Sequence, residues 1–310
     1  MSIEQRIRAA ESSVFESAGV AVDESFVGLF SPKIRLRVLS VGTGTDLVLL
    51  HGVSLAAAIW APLLPHLKGY RVHLVEMPGH GLSDPVRYDA RMVRGHSVRL
   101  LDELFHALGL DAPSVVGHSL GGMFALWHAS ARPGKIASLV GIGDPGATLP
   151  GVEVKMPLSI LTVAGVGRAV LSVPTGRSPY RRLVGQGTSA AAALGMSDEL
   201  IDVLRFACRR KGNPATVASL MHAIDGFRRP RHETLMSDDE LSRIETPTSF
   251  YWGRDDPFLS PERARPSVAK IPGARLHEVA GGHAPWFEHP ADCARFIDLH
   301  QRAGLEVNPD

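Results

Sequence analysis

One pentapeptide constrains this chain more than any other feature. Gly117-His118-Ser119-Leu120-Gly121 sits between the apolar run Ser114-Val115-Val116 and a helical stretch from Leu120 to about Ala131. A serine in G-x-S-x-G at a strand-to-helix junction occupies a sharp turn that strains its backbone. A side chain at either flanking glycine would collide with the neighbouring strand and helix. The turn therefore needs a buried strand and a helix packed directly against it, and the rest of the chain can be read for the sheet that supplies them.

The surroundings alternate accordingly. Ile34 to Val41 has strand-like alternation, and Gly42-Thr-Gly-Thr-Asp46 supplies turn chemistry. Leu47-Val-Leu-Leu50 is a short apolar run of the kind buried on both faces. A helix is expected from about Ala56 to Leu67, a strand at Tyr70–Val75, a helix from Met92 to Leu108 and a strand at Ile136–Ile142. From about Leu149 to Arg243 no strand-and-turn pair is apparent, and helical segments such as Asp198–Arg210 and Pro214–Phe227 take over. The alternation resumes with strand Thr248–Trp252, a helix near Pro261–Lys270, strand Arg275–Val279 and a last helix Pro290–Arg302. At the other end, Ile3, Ile7, Ala10 and Val14 fit one face of a short amphipathic helix. The expected fold class is α/β: a mostly parallel central sheet with helices on both faces, interrupted by a helical insertion of somewhat under a hundred residues.

A serine hydroxyl is a poor nucleophile and needs a base, which in turn needs an orienting acid. The candidate base is His283 in Gly281-Gly-His-Ala-Pro-Trp286, a Gly-rich loop after the last strand. The candidate acid is Asp256 in Trp252-Gly-Arg-Asp-Asp-Pro257, just beyond the penultimate strand, with Asp255 beside it and Asp144 beyond an earlier strand as alternatives. The chain order Ser, Asp, His is the one expected when the nucleophile sits on such an elbow. A tetrahedral oxyanion needs two N–H donors: Leu120, at a helix N-terminus, and Val53, in the loop after Leu47–Leu50.

Composition matters here mainly for what it excludes. The 33 basic and 32 acidic residues nearly cancel and form no basic stripe, so nucleic acid is not an expected partner. The two cysteines, Cys208 and Cys293, lack metal-ligand spacing and read as reduced packing residues. No metal or organic cofactor is implied; Gly42-x-Gly44 precedes a strand, where a dinucleotide fingerprint would precede a helix. The most apolar stretch, Met156 to Pro174, is interrupted by Gly165, Gly167 and Arg168 and is too short for a membrane span. With no apolar leader at the N-terminus, a cytoplasmic location is the expectation. Oligomeric state cannot be read from the sequence.

Leu49-Leu-His-Gly52, Glu76-Met-Pro-Gly-His-Gly-Leu-Ser-Asp84, Val116-Gly-His-Ser-Leu-Gly-Gly122, Trp252-Gly-Arg-Asp-Asp256 and Gly282-His-Ala-Pro-Trp286, in that order, resemble the α/β-hydrolase superfamily. One departure is Glu76, where Asp is more usual. The resemblance implies a core domain of residues 1–148 and 244–310 under a helical cap of residues 149–243. It implies a serine hydrolase acting on a small carboxylic ester or thioester, with Ser119, Asp256 and His283 as triad. The family also contains carbon–carbon bond hydrolases, lyases and low-turnover receptors, which stay open as alternatives. Apolar residues between Met156 and Val173 would, if they line the cleft, favour a small-molecule substrate with an apolar group.

Overall fold

The computed structural model describes residues 1–307 except 164 and 228. The N-terminal amphipathic pattern forms α1 (Ile3–Ser17), opened by a capping box in which Ser2 accepts from Gln5 N and the Gln5 side chain accepts from Ser2 N. Such a cap contributes about 1 kcal/mol. Eight strands make one sheet: β1 (Asp23–Phe30), β2 (Lys33–Val41), β3 (Thr45–Leu50), β4 (Tyr70–Val75), β5 (Ser114–His118), β6 (Ser138–Ile142) and two later strands given below. β2 lies where the alternation from Ile34 to Val41 puts it, whereas β1 escapes the sequence pattern because it is mostly exposed and carries no apolar alternation. The predicted helix over 56–67 is absent. Pro62 and Pro65 remove the N–H donors a continuous α-helix needs, and the segment forms two short 3-10 turns, Ala57–Trp60 and Leu64–His66.

α2 (Val93–Ala107) and α3 (Leu120–Ala131) follow β4 and β5. Between β6 and the next sheet strand lie α4 (Val166–Ser172), α5 (Arg177–Gly187), α6 (Ala190–Gly195), α7 (Asp198–Arg209), α8 (Asn213–Ile224), the two-residue strands β7 (Asp225–Gly226) and β8 (Arg229–Pro230), and α9 (Asp238–Ser242). β7 and β8 pair antiparallel, a small ladder that the apolar pattern did not announce. β9 (Thr248–Gly253), α10 (Pro261–Val268), β10 (Arg275–Val279) and α11 (Pro290–Val307) complete the chain. α7 buries Leu200, Ile201, Val203, Leu204 and Phe206, each worth roughly 1.5–3 kcal/mol when fully removed from water. Its partner is α1, and Arg210, the residue after α7, bonds Glu4 of that helix at 2.9 Å. The N-terminal helix thus fastens the inserted helices from outside.

The sheet order is β1-β2-β4-β3-β5-β6-β9-β10, with β1, β2 and β4 joined antiparallel and every other neighbour parallel. The chain moves outward from β3 to β4 and then returns to β5 on the other side of β3. Loops leaving β3 and β5 therefore part in opposite directions, and a crevice opens at their C-terminal ends. Buried charge supports the opposite edge. Arg37 of β2 is ion-paired with Glu11 of α1 (3.0 Å from Nη1) and Glu76 after β4 (3.3 Å), and also bonds Glu24 of β1. Among the described residues no helix is long and apolar enough to cross a membrane.

Candidate active site

Ser119 stands at the turn from β5 into α3 with φ +50° and ψ −113°. A non-glycine residue there costs about 1–3 kcal/mol, which the surrounding packing has to offset. The close approach that requires the flanking glycines is visible: a Cβ on Gly121 would lie 2.1 Å from Leu50 O, and one on Gly117 would lie 2.6 Å from Gly122 N. The strain lifts the serine side chain out of the sheet and into a cavity of about 150 Å³.

Of the three carboxylates weighed from sequence, Asp256 is the one bonded to His283. His283 Nδ1 lies 2.7 Å from Asp256 Oδ2, and the same oxygen accepts Asp144 N at 3.0 Å, while Oδ1 accepts Phe258 N at 3.0 Å. Because the carboxylate accepts the Nδ1–H, the ring's acceptor nitrogen is Nε2. That Nε2 is buried and has no hydrogen-bond partner among the described residues. His283 and Ser119 both line the cavity, and no hydrogen bond joins their side chains among the described residues; such bonds commonly tighten only when substrate is present. The His283 backbone is fixed as well, its N donating to Thr188 O at 2.9 Å and its O accepting His118 Nε2 at 3.1 Å. Asp255 is exposed. Asp144 lines the cavity and touches Asp256 through its backbone only.

Val53 and Leu120 also line the cavity, and neither N–H is bonded among the described residues. Sequence reasoning missed what holds the Val53 loop. His80 Nε2 accepts Ser54 N at 3.0 Å while Nδ1 donates to Pro78 O at 3.0 Å. His51 Nε2 accepts Met77 N at 3.2 Å and its Nδ1 donates to Gly52 O at 2.8 Å. Both roles need a neutral ring, and burial keeps it so, pushing His80 down to about 4 and His51 down to about 3. His80 lies inside the Pro-Gly-His-Gly motif, so the signal was present without its geometry. His118, beside the nucleophile, is likewise held neutral by burial and by His283, and it spends its proton on the His283 carbonyl.

The remaining candidates divide. Leu158, Leu161 and Leu171 line the cavity, whereas Val163, Val166, Val170 and Val173 from the same apolar stretch face solvent. Met123, fully buried in the core, also reaches the cavity. Trp60 and Trp286 stack on each other behind the site, and Trp127 donates to Thr234 O, so none of the three walls the cavity. Arg177 and Arg181 are committed to Asp198, and Arg177 also to Asp202. Both cysteines are free thiols, and Cys208 lines the cavity beside Tyr180. Among the described residues no three His, Cys, Asp or Glu side chains converge as a metal site requires.

Comparison with known proteins places this geometry in context. Residues 46–290 match a family model described as the alpha/beta hydrolase fold. The chain is 31% identical over 257 residues to a pimeloyl-[acyl-carrier protein] methyl ester esterase of Stenotrophomonas maltophilia, covering 82% of this chain and 91% of that one. It is 30% identical to a 2-hydroxy-6-oxononadienedioate/2-hydroxy-6-oxononatrienedioate hydrolase of Burkholderia vietnamiensis, over 86% of this chain and 90% of that one. In structure it resembles a carboxylesterase from Bacillus subtilis, with a TM-score of 0.73 at 17% identity over 97% of this chain and 99% of the other.

Proposed function

The chain belongs to the α/β-hydrolase family, and on that footing we propose that it hydrolyses small carboxylic esters or thioesters through an acyl-enzyme on Ser119. The observation that carries this reading is the unpaired, buried Nε2 of His283, left bare because Asp256 holds the opposite nitrogen, facing the same apolar cavity as Ser119. Residues 149–243 are the cap in this reading, and they supply Leu158, Leu161, Leu171, Met221 and Ile224 to the cavity wall.

The chemistry then runs in two halves. Ser119 Oγ attacks the acyl carbon as His283 Nε2 takes its proton, and Asp256 stabilises the imidazolium. The oxyanion is met by the N–H groups of Val53 and Leu120, each worth roughly 3 kcal/mol in the transition state. Collapse expels the alcohol or thiol, which leaves with the proton from His283. Water, deprotonated by the same nitrogen, then releases the acid and restores Ser119. The fixed rings of His51 and His80 keep the Val53 loop from collapsing onto the cavity.

A second reading, carbon–carbon bond hydrolysis with the same residues, is favoured by the 30% identity to the Burkholderia enzyme. Hydrolysis of p-nitrophenyl esters from acetate to octanoate, on the wild type beside Ser119→Ala, separates the two. Short esters cleaved by the wild type, with kcat reduced about 10⁴-fold or more in the variant, support the esterase reading. Absence of ester turnover alongside cleavage of a 2-hydroxy-6-oxo dienoate would favour the second.

A further inference from the structure

The cavity contains two acids that the Ser119–His283–Asp256 chemistry does not use. Asp144 follows β6 of the sheet and Asp225 opens β7 directly after α8, so one comes from the sheet and the other from the insertion. Both line the cavity, at 1% and 3% exposure, and Oδ1 of each is buried without a hydrogen-bond partner. Neither joins an ion pair among the described residues, and the lining includes no Lys or Arg. Apart from these acids, the two histidines and a few hydroxyls, the wall is apolar, with Val152, Leu158, Leu161, Leu171, Ile224 and Phe258 among its residues.

Burying an unpaired carboxylate costs several kcal/mol, so a fold that carries two in one apolar cavity has to neutralise them. Without ligand, protons do it. Burial pushes Asp225 up to about 7, with Arg231 pulling weakly the other way. Burial, then the charges of Asp256 and Asp225, push Asp144 well above the usual carboxylate range. With substrate present, a cation can replace a proton.

We propose that Asp144 and Asp225 form a subsite for a basic nitrogen, so that the esters this enzyme takes carry an ammonium group on a short aliphatic spacer. An ammonium brings one positive charge and at least one N–H donor to a pair of unpartnered acceptors, while the spacer lies against the leucines. A substrate carboxylate or phosphate in the same place would bring a further negative charge into an apolar cavity whose lining holds no Lys or Arg to pair it. This inference rests on the esterase reading for the reaction but not for the binding.

The test uses two isosteres, methyl 4-(dimethylamino)butanoate and methyl 5-methylhexanoate, which differ only in whether the branch atom is a protonated nitrogen or a carbon. Wild-type kcat/KM at pH 7 is expected to favour the amine by about tenfold or more, and Asp225→Asn or Asp144→Asn to bring the ratio to near one. Asp225→Glu should keep a preference. Calorimetric titration of both esters into Ser119→Ala reads the same preference with no turnover. Tighter binding of the amine without wild-type hydrolysis of either ester would discard the esterase reading and keep the subsite. A wild-type preference for the carbon isostere, or a ratio unmoved by both Asn variants, would overturn the subsite.

Discussion

Asp256, behind His283, and Asp225, on the cavity wall, are both buried aspartates, and the fold treats them in opposite ways. Asp256 sits beyond β9 and is saturated: His283 Nδ1, Asp144 N and Phe258 N fill its two oxygens. Asp225 sits at the end of α8 with Oδ1 unpartnered, and burial lifts it to about 7. A saturated acid has one geometry and fixes the neighbour it holds; an unsaturated one waits for a proton or a ligand. The difference lies in the backbone around each residue, because loops leaving parallel strands expose N–H groups that a carboxylate can collect, whereas the C-terminal end of a helix presents carbonyls.

The sharpest way to break this comparison is Asp256→Asn. An amide in that place offers His283 a donor where it needs an acceptor, which turns the ring to the wrong tautomer, and kcat is expected to fall about 10⁴-fold. Whichever oxygen becomes the NH2, Asp144 N or Phe258 N loses its acceptor, so the melting temperature should also fall by a few degrees. Asp144→Asn keeps the backbone N–H that Asp256 accepts, so on a neutral p-nitrophenyl ester it should cost less than about tenfold in kcat. Steady-state kinetics on both variants decides; equal losses would mean that Asp144 shares the orienting role.

Asp225 gives a smaller effect, read in stability against pH. Its folded value of about 7 lies above the roughly 3.9 of an unfolded aspartate. Between those values the folded chain binds more protons than the unfolded one, so the contribution is fully present below about pH 4 and is lost as pH rises through about 7. Asp225→Asn has no such titration. The variant should melt with the wild type at pH 4 and roughly 2–4 °C above it at pH 8, by scanning calorimetry across that range. Parallel curves would mean that Asp225 is already paired.

Sheet and insertion differ equally in how far the sequence announced them. β3, β4, β5 and α3 came from short apolar runs and the Gly-x-Ser-x-Gly turn, because strands buried on both faces and a strained elbow each leave a local signature. The same locality led His283 and Asp256 to be considered together: both follow strand ends in loops rich in turn residues, and the structure sets them 2.7 Å apart. The lining of the cavity was hidden. Leu161 and Val163 are two residues apart in one apolar stretch, yet one lines the cavity and the other faces solvent, since which side of a helical segment faces inward is set by packing from other elements. Asp225 was hidden for a related reason: the helical pattern over Pro214–Phe227 carries straight through it, whereas the structure ends α8 at Ile224 and turns the chain there. The bracing by His51 and His80 depends on tautomers and distances that no spacing encodes.

The smallest expected effect is also the cleanest control, because it uses the residue next to Asp256. Asp255 is exposed, and among the described residues its hydrogen bonding is limited to its backbone N–H, which donates to Gly281 O at 3.0 Å. Sequence alone left the two adjacent acids as alternatives, but consecutive residues in the extended turn after β9 point apart, and one of them faces water. Asp255→Asn retains the backbone donor and removes only a solvated charge, so kcat should stay within about twofold and stability within about 0.5 kcal/mol of the wild type. Measured beside Asp256→Asn on the same ester, the pair isolates burial and bonding from residue type. A hundredfold loss at Asp255 would show that the loop rearranges when substrate binds, and the contrast between saturated and unsaturated acids would then have to be redrawn for the liganded state.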